Sequence, residues 1–188
     1  NYDRHTNRRS DAECKAFYLD CVKNHIYQEA KAGGMDADTL AEAAAQVDAV
    51  GISGFAHLLG YPRFEKGEAD PLMVLANLPF KTYLTLSATT FLEDALRKAK
   101  RQPLTKMCRW RGPIDAPEKD LWMIPDSFAP SVQQPLVYHL CGLDAHPATG
   151  APIPDSLALT EDDHLEMLVN LAQDRGKERA DRLPALVR

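Results

Sequence analysis

The chain has 188 residues, of which 45% are hydrophobic and 26% are charged, and its formal net charge is −5. These values are typical of one globular domain, or one domain and a fragment, with a sizeable core. The negative charge argues against a nucleic-acid-binding surface, and no apolar run approaches the ~20 residues of a membrane span. Four scattered cysteines without a C-x-x-C pair, and no signal peptide, favour a cytoplasmic protein with reduced thiols and no zinc site.

The first 69 residues carry helical patterns. Ser10 and Glu13 have the spacing of a capping box, which predicts the start of a long helix. Its apolar stripe predicts one buried face made of Cys14, Phe17, Tyr18, Cys21, Val22, His25 and Ile26. Residues 35–60 are alanine-rich and predict two helices with a break near residues 51–54.

A strand, a polar turn and a helix follow one another in the centre of the chain. Aromatic and β-branched residues at 80–86 predict a short, mostly buried strand. Thr90 and Glu93 have the capping-box spacing for the next helix. Because ligands bind beyond the carboxyl ends of strands in open α/β sheets, the turn that begins at Ser87 is the first place expected to carry chemistry. The alternative is that its hydroxyls only cap the helix.

Two further strands are predicted by alternation over residues 104–110 and by the apolar run at residues 136–141. His139 lies near the end of the second of these strands. Between them, residues 112–135 hold five prolines and predict a long irregular segment. Trp122 in this segment is expected to anchor it to the core or to pack over a site.

The last predicted helix begins at Thr160, after a possible short strand over residues 156–159. Three acids stand in its first turn: Glu161, Asp162 and Asp163. Consecutive helical residues point in different directions, so attraction to the positive end of the helix dipole explains these acids better than metal binding does.

Three segments, taken in order, resemble the bacterial sirtuin-like domains found in anti-phage defence proteins. They are DPLMVLANLPFKTYLTLSATTFLEDALRKAKRQP, then CRW, and then PLVYHLCG followed by SLALTEDDHLEML. The family pattern has an LA-x-LP segment, a strand ending in T-T-N, a D-x-LLE helix, a strand ending in Y-H-L-x-G, and S-L-V-L-T-E-D-D-Y before a helix. The match covers residues 70–168, and YHLCG and LALTEDDHLEML are its most specific parts.

The resemblance implies an α/β fold, in which a Rossmann-like parallel sheet flanked by helices forms a sirtuin-like core over residues 70–188. Residues 1–69 would be the helical part of the same domain. No Gly-x-Gly phosphate loop precedes Asp70, and the family's last strand is not found before Arg188. We therefore expect a fold that is incomplete at both ends and a chain that is part of a longer protein.

The resemblance also implies a site, residue by residue. His139 and Gly142 match the family's H-x-x-G, in which the histidine bonds the ribose hydroxyls and acts as a base. Thr85 matches the first threonine of T-T-N, whereas Ser87 stands in place of its asparagine and Thr90 in place of the family aspartate. The catalytic candidates are therefore His139 and Ser87, and the candidate cofactor contacts are Thr85, Thr90 and Gly142.

The function implied is the binding of NAD, without a metal, and its hydrolysis to nicotinamide and ADP-ribose in anti-phage defence. The implied partners are NAD or an ADP-ribose-type nucleotide and other domains or subunits of a defence complex, and an oligomer is expected. A serine hydroxyl is shorter than an asparagine side chain and lacks its separate carbonyl acceptor and NH₂ donor. The alternative function is therefore that of a catalytically degenerate nucleotide sensor or assembly scaffold. A serine hydrolase using Ser87 and His139 would lack the G-x-S-x-G elbow. A buried His139 bonded to backbone within the sheet is the remaining interpretation of that residue.

Overall fold

The computed structural model describes residues 11–64, 69–111, 119–174 and 183–187. The α-helices in these ranges are α1 Asp11–Ala32, α2 Ala37–Ala45, α3 Ile52–Leu58, α4 Pro71–Ala76, α5 Phe91–Lys98 and α6 Glu161–Asp174. The strands in the same ranges are β1 Thr82–Thr85, β2 Leu104–Met107 and β3 Leu136–His139. Short 3₁₀ helices are found at Lys119–Leu121, Pro154–Ser156 and Ala185–Val187.

The described strands form one parallel sheet in the order β1–β3–β2, so that β3 lies in the centre. His139 at the end of β3 is in register with Thr85 on one side and with Met107 on the other. The carboxyl ends of all three strands therefore meet at one edge of the sheet. Every residue of β3 is buried, which confirms the buried strand predicted there.

Helices cover both faces of the sheet. Alternate residues of a strand point to opposite faces, so β3 contributes side chains to a separate cluster on each side. On one face, Val137 packs in a cluster with residues of α4 and α5. On the other face, Leu136 and Tyr138 pack in a cluster that includes residues of α6. This arrangement confirms the predicted α/β class with a parallel sheet flanked by helices.

The first three helices pack together through Ala30, Leu40, Ala43, Phe55 and Leu59. The two helices predicted over residues 35–60 are confirmed as α2 and α3, although the break between them comes slightly earlier than expected. A second cluster joins this helical part to the end of the sheet through Leu19, Ile52 and Leu157.

The buried face predicted for α1 is mostly wrong, since only Val22 and Ile26 of its seven residues are half-buried and packed against the core. The buried residues of the helix are Lys15, Leu19, Lys23 and Ala30, whereas Cys14, Phe17, Tyr18, Cys21 and His25 are exposed. The reason is that both lysines have oxygen partners in other elements: Lys15 bonds Asp163 at 3.1 Å, and Lys23 donates to the carbonyl of Val47 at 2.7 Å. Ser10, which was predicted to cap this helix, lies outside the described residues.

Two predictions about strands are also wrong. The central strand is not mostly buried, because Leu84 is 53% exposed and Leu86 is 70% exposed. β1 is an edge strand, and within the described part of the chain no strand pairs with its outer side. Residues 156–159 do not form a strand, since the 3₁₀ helix Pro154–Ser156 occupies the start of that segment.

Arg101, which is 6% exposed, holds the amino ends of the strands together. Its guanidinium donates to the carbonyls of Ala76 at 2.8 Å and Leu78 at 2.9 Å, and also to those of Phe80 and Val132. It donates further to the hydroxyl of Tyr83 at 2.8 Å. One buried cation thus connects the end of α4, the approach to β1 and the approach to β3.

Candidate functional site

A cleft of about 320 Å³ lies at the carboxyl ends of β1 and β3, and we name it the switch-point cleft. The chain leaves β1 for α5 on one face of the sheet and leaves β3 for α6 on the other face, which is the arrangement in which α/β proteins bind ligands. The residues that line it are Tyr18, Leu19, Val22, Ile52, Leu86, Ser87, Ala88, Thr89, Cys141, Leu157, Ala158 and Leu159.

The turn after β1 is fixed by its own hydroxyl groups. The Ser87 N–H donates to Thr85 Oγ1 at 3.0 Å, and the Thr89 N–H donates to Ser87 Oγ at 3.2 Å. The two hydroxyl oxygens of Ser87 and Thr89 lie 2.8 Å apart and share a hydrogen bond. Ser87 is exposed and lines the cleft, so its hydroxyl is presented to a ligand by a defined turn.

His139 lies beneath this turn and is 0% exposed. Its Nδ1 is 2.7 Å from the carbonyl oxygen of Ser87, and its Nε2 is 2.8 Å from Oε1 of Glu93. Both neighbours are oxygens, so either the imidazolium donates from both nitrogens, or Glu93 carries a proton and donates it to Nε2. Thr105 donates to the same Glu93 oxygen at 3.0 Å.

Glu93 points into the core instead of toward the start of its helix. Thr90 is the N-cap of α5 but makes no capping bond with its side chain, so the predicted Thr90–Glu93 capping box is wrong. The physical reason is twofold: the buried imidazole of His139 offers Glu93 a strong partner, and the backbone N–H of Thr90 already donates to Ser53 Oγ. The second carboxyl oxygen of Glu93 is buried and has no partner among the described residues.

The structure places the two predicted catalytic residues in contact. The contact is between the imidazole of His139 and the backbone carbonyl of Ser87, and not the Ser87 hydroxyl. With Nδ1 bonded to that carbonyl and Nε2 bonded to Glu93, His139 fixes the position of the turn. A general base must reach the proton that it removes, so His139 would first have to exchange one of these bonds. The catalytic roles of Ser87 and His139 remain predictions.

The predicted cofactor contacts lie beside the cleft and not in its lining. The Thr90 N–H donates to Ser53 Oγ at 2.8 Å. Gly142 has φ +85°, and a Cβ atom there would lie 2.0 Å from the carbonyl oxygen of Ser156. A side chain at this position is excluded by close backbone packing, which explains the glycine. Contact of Thr85, Thr90 or Gly142 with a nucleotide remains a prediction.

Asp144 ties two walls of the cleft together. Its N–H donates to the carbonyl of Ala88 at 3.0 Å, and its Oδ2 accepts from the N–H of Ile52 at the start of α3. The other carboxyl oxygen is buried and has no partner among the described residues. Burial raises the pKa of Asp144, and the backbone N–H bonds that it accepts offset this only in part.

Asp163 holds a third wall of the switch-point cleft, at Leu159, in place. Its carboxylate accepts from the N–H groups of Leu159 at 2.9 Å and Thr160 at 3.0 Å. It also accepts from the Lys15 ammonium at 3.1 Å and the Arg111 guanidinium at 2.8 Å. Burial by itself would raise the pKa of Asp163, but the two backbone N–H groups and Lys15 outweigh it and hold the pKa below its ordinary value.

A second cleft, of about 340 Å³, lies at the carboxyl end of β2. The guanidinium of Arg109 lies 3.9 Å from the ring centroid of Trp122, and that of Arg111 lies 4.7 Å from that of Trp110. Arg111 is already paired with Asp163, as well as with Glu166 at 3.2 Å. Trp122 is 3% exposed, which confirms that it anchors the irregular segment to the core.

Sequence reasoning missed the residues that shape the switch-point cleft. The helical periodicity places Tyr18 on a buried face, and the capping-box spacing places Glu93 at a helix start. Asp163 was explained by the helix dipole alone, yet its partner Lys15 stands 148 positions earlier in the chain. The partner of Asp144 stands 92 positions away, so no local pattern could have indicated either contact.

Comparisons with family models, with curated proteins and with solved structures found no match to this chain. Among the described residues, no group of three or more His, Cys, Asp or Glu side chains is arranged to hold a metal ion. None of the described helices is long and apolar enough to cross a membrane. The function is therefore argued from the geometry of the site and from the sequence resemblance.

Proposed function

We propose that this chain is a cytoplasmic sirtuin-like domain that binds an NAD-type nucleotide in the switch-point cleft, as part of bacterial anti-phage defence. The observation that carries the proposal is the position of the cleft, at the ends of two adjacent parallel strands whose following helices cover opposite faces. Thr85 and His139, which match the family pattern, and Ser87, which stands in place of its asparagine, all lie at this edge.

Binding without hydrolysis is the form of this function that the geometry supports best. His139 is fully buried, and both of its ring nitrogens already have oxygen partners. In this arrangement its hydrogen bonds stabilise the turn at Ser87 and leave no nitrogen to accept a proton from a ligand or from water. The domain would then act as a nucleotide sensor, or as a scaffold that assembles with other domains or subunits of a defence complex.

Hydrolysis of NAD is the second candidate, and the placement of Ser87 favours it. In this reaction NAD⁺ and water give nicotinamide, ADP-ribose and a proton. Positive charge develops on the ribose as the glycosidic bond breaks, and fixed dipoles stabilise that charge. The Ser87 hydroxyl, held in a defined turn at the cleft, is such a dipole.

Calorimetric titration of NAD and ADP-ribose into the protein, followed by chromatography for released nicotinamide, tests both forms. Binding without release supports the sensor, and binding with release supports the hydrolase. No binding even at millimolar ligand would overturn the proposal. Ser87→Ala, with Ser127→Ala as the matched exposed control, assigns any release to this turn. If Ser87→Asn raises nicotinamide release, Ser87 occupies the position of the family's asparagine.

A further inference from the structure

We infer that Glu93 is a positioning residue for the ligand of the switch-point cleft: through the imidazole of His139, its carboxyl group holds the turn that presents the Ser87 hydroxyl. The inference rests on the proposed function, because the position of this hydroxyl matters to a nucleotide only if the cleft binds one. It goes further by assigning a role in binding to a side chain that does not line the cleft. Three observations carry it: the burial of the pair, the direction of its hydrogen bonds, and the link from His139 to the cleft.

Glu93 and His139 form a pair that is closed off from solvent. Both side chains are 0% exposed, and Oε1 of Glu93 lies 2.8 Å from Nε2 of His139. Glutamate is rarely buried without a partner, because removing its carboxyl group from water costs free energy. An apolar side chain of similar volume would fill the same space without this cost. The role of the Glu93 carboxyl group therefore lies in what it does to the imidazole, and not in packing.

The hydrogen bonds of His139 determine which of its ring atoms faces the turn. A carbonyl oxygen only accepts, so Nδ1, which lies 2.7 Å from the Ser87 carbonyl oxygen, carries a proton and donates a hydrogen bond. A rotation of the ring by half a turn would place Cδ2 against this carbonyl and Cε1 against Glu93, and both bonds would be lost. By bonding Nε2, Glu93 selects the orientation in which Nδ1 donates to Ser87.

Ser87 carries this orientation to the cleft. Its carbonyl accepts from His139, while its hydroxyl oxygen accepts from the Thr89 N–H at 3.2 Å and lies 2.8 Å from Thr89 Oγ1. Ser87 and Thr89 both line the cleft. If the imidazole lost its orientation, the Ser87 carbonyl would lose this donor, and the hydroxyl would lose part of its fixed position. A ligand that bonds the hydroxyl would then have to order the turn on binding, which weakens its affinity.

A hydrogen-bond donor at position 93 satisfies this geometry better than a charged group does. The second carboxyl oxygen of Glu93 is buried and has no partner among the described residues, so a full negative charge there would be poorly compensated. A protonated carboxyl group can donate to Nε2 while Nδ1 keeps its proton, and the amide NH₂ of a glutamine can do the same. Glutamine should therefore replace Glu93, whereas methionine, which has a similar length and no donor, should not.

Calorimetric titration of ADP-ribose into the whole chain and its variants tests the inference. ADP-ribose is the probe because it retains the ribose hydroxyls that the resemblance assigns to His139. Glu93→Met should weaken its binding about tenfold, because the Ser87 turn loses a restraint. Glu93→Gln should recover the affinity to within about threefold of the natural chain, because its amide supplies the donor to Nε2. Thr105→Val is the matched control: it removes the other bond to Glu93 Oε1, at 3.0 Å, leaves the bond to His139, and should change the affinity less than about twofold.

NMR of the ligand-free chain measures the positioning itself. The ring nitrogens of His139 should show a protonated Nδ1 in the natural chain and in Glu93→Gln, and more than one ring state in Glu93→Met. The amide signals of Ser87 and Thr89 should shift in Glu93→Met and stay close to their natural values in Glu93→Gln. A group that only supports the fold would move neither set of signals in a variant that remains folded. If Glu93→Met does not fold, Glu93→Asp takes its place, because its carboxyl group is one methylene short of Nε2.

Three results would overturn the inference. They are an unchanged ADP-ribose affinity in Glu93→Met, a loss of affinity in Thr105→Val as large as that in Glu93→Met, and a Glu93→Gln variant that does not recover the affinity. If the natural chain binds no ADP-ribose even at millimolar concentration, the proposed function fails instead. The amide signals of Ser87 and Thr89 then decide alone whether Glu93 positions the turn, so the two failures are distinguishable.

Discussion

Asp163 and Asp144 are both fully buried, and both accept a backbone N–H at the start of a helix, yet their pKa values are shifted in opposite directions. At Asp163, the backbone N–H groups of Thr160 and Leu159 and the Lys15 ammonium hold the pKa down. Burial dominates at Asp144, where one oxygen lacks a partner among the described residues and the nearby Lys23 is bonded to a carbonyl instead. The number of donors, and not burial alone, decides the direction in which the pKa of such a group is shifted.

The difference matters for the candidate site because the two aspartates support different walls of the same cleft. Asp163 fixes Leu159 and holds α1 against α6 through Lys15. Asp144 fixes Ile52 and Ala88. The wall at Leu159 is therefore supported by a carboxylate whose charge is stabilised. The wall at Ile52 and Ala88 is supported by a carboxyl group whose charged form is disfavoured by burial.

Asp163→Ala should have the largest effect on the free energy of unfolding. It leaves the Lys15 ammonium buried without its carboxylate and the N–H groups of Leu159 and Thr160 without an acceptor. The expected loss is about 3–5 kcal/mol, measured by urea unfolding. Glu166→Ala is the matched control, because its pair with Arg111 is exposed and should contribute no more than about 1 kcal/mol. Equal losses in the two variants would contradict the assignment.

Lys15→Met should cost less, about 2 kcal/mol, because Arg111 and two backbone N–H groups still satisfy Asp163. Methionine retains an apolar stem of similar length, although it loses the ammonium that lies 5.1 Å from the ring centroid of Trp110. Thermal and urea unfolding of this variant beside Asp163→Ala measure the order of the two effects. A loss of stability as large as that of Asp163→Ala would mean that the Asp163 carboxylate is stabilised mainly by Lys15 and not by the backbone N–H donors.

The pH dependence of stability should separate the two aspartates by sign. With its lowered pKa, Asp163 stabilises the fold above the ordinary carboxyl pKa of about 4, and this contribution is lost as the pH falls through the folded value. With its raised pKa, Asp144 contributes fully below about pH 4, and its contribution is lost as the pH rises through the folded value.

Asp144→Asn should therefore cost less stability relative to the natural chain at neutral pH than at acidic pH. Asp163→Asn should show the opposite trend, with its cost greatest at neutral pH. Urea unfolding across the acidic range measures both, and the changes should be smaller than those of the two substitutions above. If the loss of stability changed with pH in the same direction in both variants, the opposite pKa shifts of the two aspartates would be refuted.

The smallest effect is expected at a half-buried aspartate that serves as a reference. Asp94 pairs with Arg97 at 2.7 Å within α5, and its side chain is 24% exposed. Asp94→Ala should change the free energy of unfolding by about 0.3–0.5 kcal/mol, because solvent screens such a pair. A loss above about 2 kcal/mol would show that Asp94 is engaged more deeply than a surface pair.

Local signals predicted much of the fold. Asp70 stands directly before a proline, a pattern that is typical of a helix start, and as the N-cap of α4 it accepts from the N–H of Leu72 at 2.8 Å. The buried β3 follows from the run of apolar residues before Gly142. These features depend on neighbours in the sequence, so the sequence pattern contains them.

Features that depend on distant partners could not be predicted in the same way. Periodicity assigns lysine to the surface, yet Lys15 and Lys23 are buried because oxygens from other elements meet them. The proximity of Ser87 and His139 did follow from the strand ends, since parallel strands finish at one edge. Their contact through the Ser87 carbonyl, and the partner role of Glu93, required the packed structure.

The bonds of Arg101 have a consequence for the rate at which the fold is lost. Its carbonyl partners lie between 21 and 31 positions away in the chain, so they come together only after α4, β1 and the approach to β3 have packed. We predict that these bonds form after the folding transition state, in which case removal of the Arg101 side chain mainly accelerates unfolding, as refolding and unfolding rates of Arg101→Met would measure. Arg101 should therefore govern the lifetime of the native state more than the speed at which it forms.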